Sequence, residues 1–264
     1  MNRLLDMKKL LPFLVFIALI SCSPQSGQRP KVLAHRGLCS TGTEFTTDEN
    51  TLDALIRAQE KGCEGVEFDV FITVDSQLVI KHDDEIVKGE LYCTRSPFEE
   101  IRAYVLPFGH QIPTLREWLE QAKKTPGMMQ FLEIKAQDND KERELIRRAL
   151  AIIKELDMMD QVYILSFKSE TLDEVLRQEP RMRVGLNSSS LHGSMPPQEV
   201  KEHGFAGISY NSNVILNHPD WIREFQELGI DTFLWMVNSK YMKKIGEDLG
   251  FTWMTTDFYD EIGY

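Results

Sequence analysis

Three apolar runs carry charged side chains where a buried strand would ordinarily have none. His35 and Arg36 follow Val32, Leu33 and Ala34; Glu67 and Asp69 interrupt the run from Val66 to Val70; Glu133 and Lys135 flank Ile134. Glu67 and Asp69 are two residues apart, so on an extended strand they point to the same side. Charge enclosed by apolar structure requires a partner, and two arrangements would supply one. A cation held by Glu67, Asp69 and Glu133 would satisfy all three carboxylates at once. Such an all-oxygen donor set suits one hard divalent ion, magnesium or calcium, better than zinc, which favours nitrogen and sulfur. Alternatively, the carboxylates form structural ion pairs with Arg36 and Lys135. The residue types leave both arrangements open.

For these side chains to meet, their strands must be neighbours. From Lys31 onward, short β-rich runs alternate with helical patterns, and the runs are apolar throughout, as parallel strands buried on both faces are. Strands are expected near 32–35, 66–70, 130–134, 162–165, 183–186, 207–210, 232–236 and 253–255. Helices are expected near 51–61, 114–123, 141–156, 169–178, 197–203, 219–228 and 239–248. This order predicts an α/β chain folded as a TIM (β/α)8 barrel, and 264 residues that are 42% hydrophobic suffice for one such domain. A doubly wound open sheet is the alternative, but no glycine-rich phosphate loop follows the first strand. Barrel enzymes collect their catalytic groups at the C-terminal strand ends, where His35, Arg36, Glu67, Asp69, Glu133 and Lys135 would fall. Residues 75–113 break the alternation with a further strand-like run, 78–81, and turn-rich chain. They read as a small insertion after the second strand, placed over the barrel mouth.

Acidic side chains outnumber basic ones 41 to 30, a formal net charge of -11, which argues against a nucleic-acid partner bound through its phosphates. At the N-terminus, Arg3, Lys8 and Lys9 precede an apolar run from Leu10 to Ile20 that stops at Ser21 and Cys22, the layout of a signal peptide. The run is short of the roughly 20 residues that span a bilayer. Leu19-Ile20-Ser21-Cys22 resembles a bacterial lipobox, whose cysteine becomes the lipidated first residue of the mature protein. The expected organisation is therefore a leader over 1–22, a polar tether over 23–30 and one domain over 31–264. It implies an exported bacterial lipoprotein, periplasmic or cell-surface, touching the membrane through its lipid anchor only. Cys39, Cys63 and Cys93 remain, an odd number without metal-ligand spacing. One disulfide or three free thiols fit equally.

A set of short motifs, in order, resembles the glycerophosphodiester phosphodiesterase family. They are His35-Arg36-Gly37, Glu49-Asn50-Thr51, Glu67-Phe68-Asp69-Val70, Thr73-Val74-Asp75, His82-Asp83, Ile112-Pro113-Thr114-Leu115 and Leu132-Glu133-Ile134-Lys135. Weaker likenesses continue through Ser166-Phe167, Trp235-Met236-Val237-Asn238 and Thr256-Asp257. Two departures stand out: Asp48 replaces the proline usual before Glu49, and the segments 38–48 and 84–110 differ from the family's loop and insertion. The first is expected to change only loop stiffness. The second is expected to bear on the substrate headgroup.

The resemblance implies hydrolysis of a small-molecule glycerophosphodiester to sn-glycerol 3-phosphate and an alcohol. It makes Glu67, Asp69 and Glu133 the ligands of a divalent ion, with Glu49 as an additional or supporting carboxylate. It makes His35 and His82 the acid and base, which the reaction needs because the departing alkoxide must take up a proton. Arg36 and Lys135 would stabilise the phosphoryl oxygens. Phe167 and Trp235 are either walls for the substrate or barrel-end packing, Lys135 is otherwise a partner of Glu133, and Asn50 is expected to cap the helix that Thr51 opens. His110, His192, His203 and His218 read as surface or hydrogen-bonded residues. A related barrel phosphodiesterase acting on intact phospholipid, and a non-catalytic lipoprotein that binds phosphorylated polyols, are the rival readings. The sequence does not fix the oligomeric state.

Overall fold

The computed structural model describes residues 29–264. The leader, Cys22 and most of the tether lie outside them. Eight parallel strands form the barrel: β1 (Lys31–Ala34), β2 (Gly65–Ile72), β3 (Met129–Ile134), β4 (Val162–Ser166), β5 (Val184–Ser188), β6 (Gly207–Asn211), β7 (Asp231–Trp235) and β8 (Trp253–Thr256). Each pairs with the next, and β1 closes the ring by pairing with both β8 and β2. The chain therefore has the expected TIM-barrel fold, with strand limits within a residue or two of those expected.

Side-chain volume explains how the interior fills. Leu33, Phe131, Tyr163, Leu165, Phe233 and Trp253 form one buried cluster inside the ring, the Phe131 ring lying 5.5 Å from Tyr163 and 5.1 Å from Trp253. Neighbouring strands make room with glycine. A Cβ on Gly207 would lie 2.3 Å from the Tyr163 hydroxyl, and one on Gly65 would lie 2.7 Å from Leu33. Large and small residues thus alternate round the layer, and this plug closes the barrel beneath the polar strand ends. The outward-facing aliphatic residues pack against the helices in a second, larger core. No described helix is long and apolar enough to cross a membrane.

The segment after β2 adds local structure of its own. Leu78–Ile80 runs antiparallel to the end of β2, Glu85–Val87 pairs with Leu91–Tyr92, and Phe98–Ala103 is helical. Phe71, Val79, Cys93, Ile101 and Ile112 give it a small core. Cys39, Cys63 and Cys93 are all buried free thiols, their pKa values pushed up to about 12 chiefly by burial.

Candidate active site

Strand register brings the carboxylates together. Asp69 on β2 stands opposite Glu133 on β3, and Glu67 shares the inward face of β2 with Asp69. One oxygen from each of the three lies within 4.8 Å of the others, and all three residues are buried. Lys135 Nζ donates to Glu133 at 2.8 Å and lies 3.3 Å from Asp69 Oδ1. Arg36 puts its backbone N–H on Glu67 at 3.1 Å, while its guanidinium donates to Glu49 at 2.9 Å and keeps Nε 3.8 Å from Asp69. Burial works against both cations, but the surrounding carboxylates outweigh it and hold both pKa values above their ordinary range.

Structural ion pairs alone do not balance this cluster. Lys135 serves Asp69 and Glu133, and Arg36 is engaged first by Glu49. Glu67 has only a backbone N–H and His35 Nε2, at 3.8 Å. Burial, then Asp69 and Glu133, push its carboxyl well above the usual range, and Glu133 is raised for similar reasons. A divalent ion with oxygen preference fits such a donor set and would remove the excess negative charge. Glu49 stands outside this cluster and holds Arg36.

Two histidines face the same cavity of about 240 Å³. His35, the first residue after β1, is bonded through Nδ1 to Asp257 Oδ1 at 2.6 Å. Asp257 is itself held by Asn238, whose Nδ2 donates to Oδ2 at 2.7 Å and whose Oδ1 accepts the Asp257 N–H at 2.9 Å. Burial raises the Asp257 carboxyl, but the His35 and Asn238 contacts outweigh it and leave it below its ordinary value. His82 enters from the insertion, its Nδ1 bonded to Asp83 at 2.8 Å. Burial, aided by Lys135 and Arg36, lowers its pKa against the opposing pull of Asp69 and Asp83, which favours the neutral ring. Across the cavity stand Phe167 and Trp235, their rings 5.9 Å apart and perpendicular.

Several residues escaped sequence reasoning. Asn50 does not cap the first helix: Thr51 Oγ1 accepts the Ala54 N–H and fills that role. Instead Asn50, buried and at φ 56°, donates Nδ2 to Asp69 Oδ2 at 2.9 Å and accepts the Asp69 N–H on Oδ1 at 3.1 Å. The signal available was its residue type, because asparagine tolerates left-handed backbone better than most. Asp48 does more than alter loop stiffness. Its Oδ2 accepts from the Phe108 N–H at 3.0 Å and pairs with His110 Nδ1 at 2.9 Å, tying the insertion to the turn that carries Glu49 and Asn50. Asn187, on β5, donates to Glu133 Oε2 at 2.9 Å. His203 pairs with Asp173, and His218 stacks on Trp221, both away from the site.

A closed parallel barrel that gathers carboxylates, two histidines and two cations at its mouth has the groups needed to hydrolyse a phosphate ester. The sequence model of the Glycerophosphoryl diester phosphodiesterase family matches residues 35–261, and the chain belongs to that family, whose members are phosphoric diester hydrolases. It is 29% identical over 224 residues to the glycerophosphodiester phosphodiesterase of Caldanaerobacter subterraneus subsp. tengcongensis, covering 79% of this chain and 86% of that one. The crystal structure of a glycerophosphodiester phosphodiesterase from Parabacteroides distasonis superposes with a TM-score of 0.79 at 30% identity, covering 87% of this chain and 93% of the other. A phosphodiesterase of Oleispira antarctica, in complex with the product sn-glycerol-3-phosphate, shares the fold with a TM-score of 0.75 at 24% identity, covering 89% and 95%.

Proposed function

We propose that this chain hydrolyses glycerophosphodiesters to sn-glycerol 3-phosphate and an alcohol, with a divalent ion, magnesium or calcium, on Glu67, Asp69 and Glu133. The observation that carries the reading is the convergence of that buried triad with His35 and His82 on one cavity. The product bound by the Oleispira antarctica phosphodiesterase supports the choice of product. When bound, the ion would neutralise charge on the phosphoryl group and favour attack on phosphorus. Arg36 and Lys135 orient the non-bridging oxygens and share their charge. His82, favoured in its neutral form, is suited to accept the proton of the attacking hydroxyl. His35, backed by Asp257, is suited to carry a proton on Nε2 and give it to the departing alkoxide. Phe167 and Trp235 bound the space for the carbon skeleton. The net change is one P–O bond broken, one formed and one water consumed.

The lipobox-like Leu19 to Cys22 supports an anchored, exported form of the enzyme, which Cys22→Ser should release from the membrane fraction. The substrate class is tested by comparing deacylated glycerophosphodiesters with the corresponding intact phospholipids. Release of glycerol 3-phosphate from the former alone supports the reading. Turnover of intact lipid alone would replace it with a phospholipase.

A further inference from the structure

Three consecutive residues hold three different elements. Asn50 is bonded twice to Asp69, and Glu49 holds the Arg36 guanidinium. Asp48, one step back and with a side chain only 7% exposed, reaches instead into the insertion. Its Oδ2 accepts the Phe108 N–H at 3.0 Å and meets His110 Nδ1 at 2.9 Å. Bonds of this kind to a carboxylate are stronger than those between neutral groups. The same imidazole turns Nε2 toward Asp53 Oδ2, 3.8 Å away in the first turn of the helix Leu52–Lys61, and Thr47 Oγ1 donates to that oxygen at 2.7 Å. The tip so gripped is a turn closed on itself: the Leu106 N–H donates to the His110 carbonyl at 2.8 Å, the Gly109 N–H donates to the Leu106 carbonyl at 2.9 Å, and Val105 bridges Gln111. Val105 and Phe108 leave more than half their surface in water, so the grip is polar and centres on the Asp48 carboxylate.

A turn that orients both a metal ligand and an arginine aimed at the phosphoryl group must keep its shape, because small misplacements of such groups are costly. A proline before Glu49 would stiffen the turn from within by fixing φ. Asp48 forgoes that, although its own N–H donates no backbone hydrogen bond among the described residues that a proline would forfeit. The two segments that depart from the family's pattern, 38–48 and 84–110, meet at this carboxylate. The second thus supplies from outside the stiffness that the first lacks. We propose that Asp48 is a positioning residue, through which the insertion tip braces the turn and keeps Arg36 and Asp69 in place. The brace deepens the reading of function given above and rests on it for the kinetic effects, whereas its effect on metal affinity is measured independently of turnover.

The test uses the full chain as wild type, Asp48→Ala, Asp48→Pro, His110→Ala and the pair Asp48→Ala with His110→Ala. It measures kcat/KM on a glycerophosphodiester at saturating calcium or magnesium, metal affinity by calorimetry, and amide exchange over residues 105–111 by mass spectrometry. Asp48→Ala should speed exchange at the tip and lower both kcat/KM and metal affinity by about 10-fold, the smaller end of what contacts supporting metal ligands contribute. His110→Ala should move both in the same direction, and the pair should be no worse than Asp48→Ala alone, because residues acting through one contact are not additive. Asp48→Pro should recover most of both quantities although its tip still exchanges fast. That recovery separates a brace from a contact that only stabilises the fold, whose loss a proline would not mend. An Asp48→Ala protein that frees the tip yet keeps its activity and metal affinity overturns the proposal. So does a folded Asp48→Pro no better than Asp48→Ala, and so do losses in the two single variants that multiply in the pair. If Asp48→Ala does not fold, Asp48→Pro with His110→Ala replaces it: removing His110 from the stiffened turn should cost nothing, and a cost as large as in His110→Ala alone overturns the proposal. These changes in metal affinity without any turnover by wild type would sink the proposed reaction and leave the brace standing.

Discussion

Asp257 Oδ1 lies 2.6 Å from His35 Nδ1, although the two residues are 222 positions apart in the chain. The pairing directs the other ring nitrogen, Nε2, toward Glu67 at 3.8 Å. A histidine so held keeps one tautomer and one orientation. Removing the carboxylate as Asp257→Ala should lower kcat by about 10² to 10⁴-fold, in the range of a positioned proton-transfer group. The loss should fall on kcat with little change in KM. Steady-state kinetics on protein of unchanged circular dichroism checks this; an unaltered kcat would mean that Asp257 does not position the His35 ring for catalysis.

Asn50 and Asp69 exchange two hydrogen bonds in a buried setting. Asn50→Ala would strand the Asp69 N–H, which costs about 1–3 kcal/mol, and would leave Asp69 less well oriented. Supporting contacts of this kind typically contribute 10–100-fold to metal affinity. Denaturant unfolding and calorimetric titration with calcium or magnesium should therefore both register the change. Lower stability with undiminished metal affinity would separate Asn50 from the ion site.

Glu67 governs how pH and metal act together. Burial and its neighbours raise its folded pKa well above the ordinary value, so the folded metal-free protein retains a proton that the unfolded chain has released. Where the unfolded state binds fewer protons, stability falls as pH rises. The metal-free protein should thus lose stability as pH climbs from the ordinary carboxylate pKa toward the raised one. A divalent ion displaces that proton, so the rise in Tm on adding calcium or magnesium should be small near about pH 5 and larger near about pH 8. Equal stabilisation at the two pH values would contradict the assignment.

The barrel interior makes a prediction of its own. Gly207→Ala would place a methyl group against the Tyr163 hydroxyl at 2.3 Å. Overpacking of this order costs typically about 1–3 kcal/mol. The midpoint of chemical denaturation should fall accordingly, while the active-site residues, above this layer, keep their metal affinity. A neutral substitution would show that the ring of Tyr163 has room to move.

The divide between what could be read from the chain and what could not follows residue type and sequence distance. β2 and β3 were readable because their apolar runs are continuous, and Glu67, Asp69 and Glu133 stood out as charges that such strands do not otherwise hold. Thr51 to Lys61 and the longer helices carried enough periodicity to be placed. The short helices Phe98–Ala103 and Ser212–Asn217 span under two turns, too few to register a pattern. Asp257 stood in one of the weaker family likenesses without a role, Asn187 in none, and Asn238 again in a weaker one without a role. Only closure of the ring brings them beside His35, Glu133 and Asp257 respectively. Asn50 and Asp48 sit in a turn where residue type suggested capping or stiffness, and their partners, Asp69 and His110, become apparent only in three dimensions.

The central claim is that Glu67, Asp69 and Glu133 hold an ion that serves phosphodiester hydrolysis by the His35 and His82 pair. The most direct test is release of glycerol 3-phosphate from a glycerophosphodiester by chelator-treated protein lacking residues 1–22, titrated with calcium or magnesium, beside Glu67→Gln and His35→Ala. The account predicts no release without metal, saturable recovery in wild type, weakened metal dependence in Glu67→Gln, and loss of about 10²-fold or more in His35→Ala at full metal occupancy. Release that is indifferent to chelator and to both substitutions would contradict it.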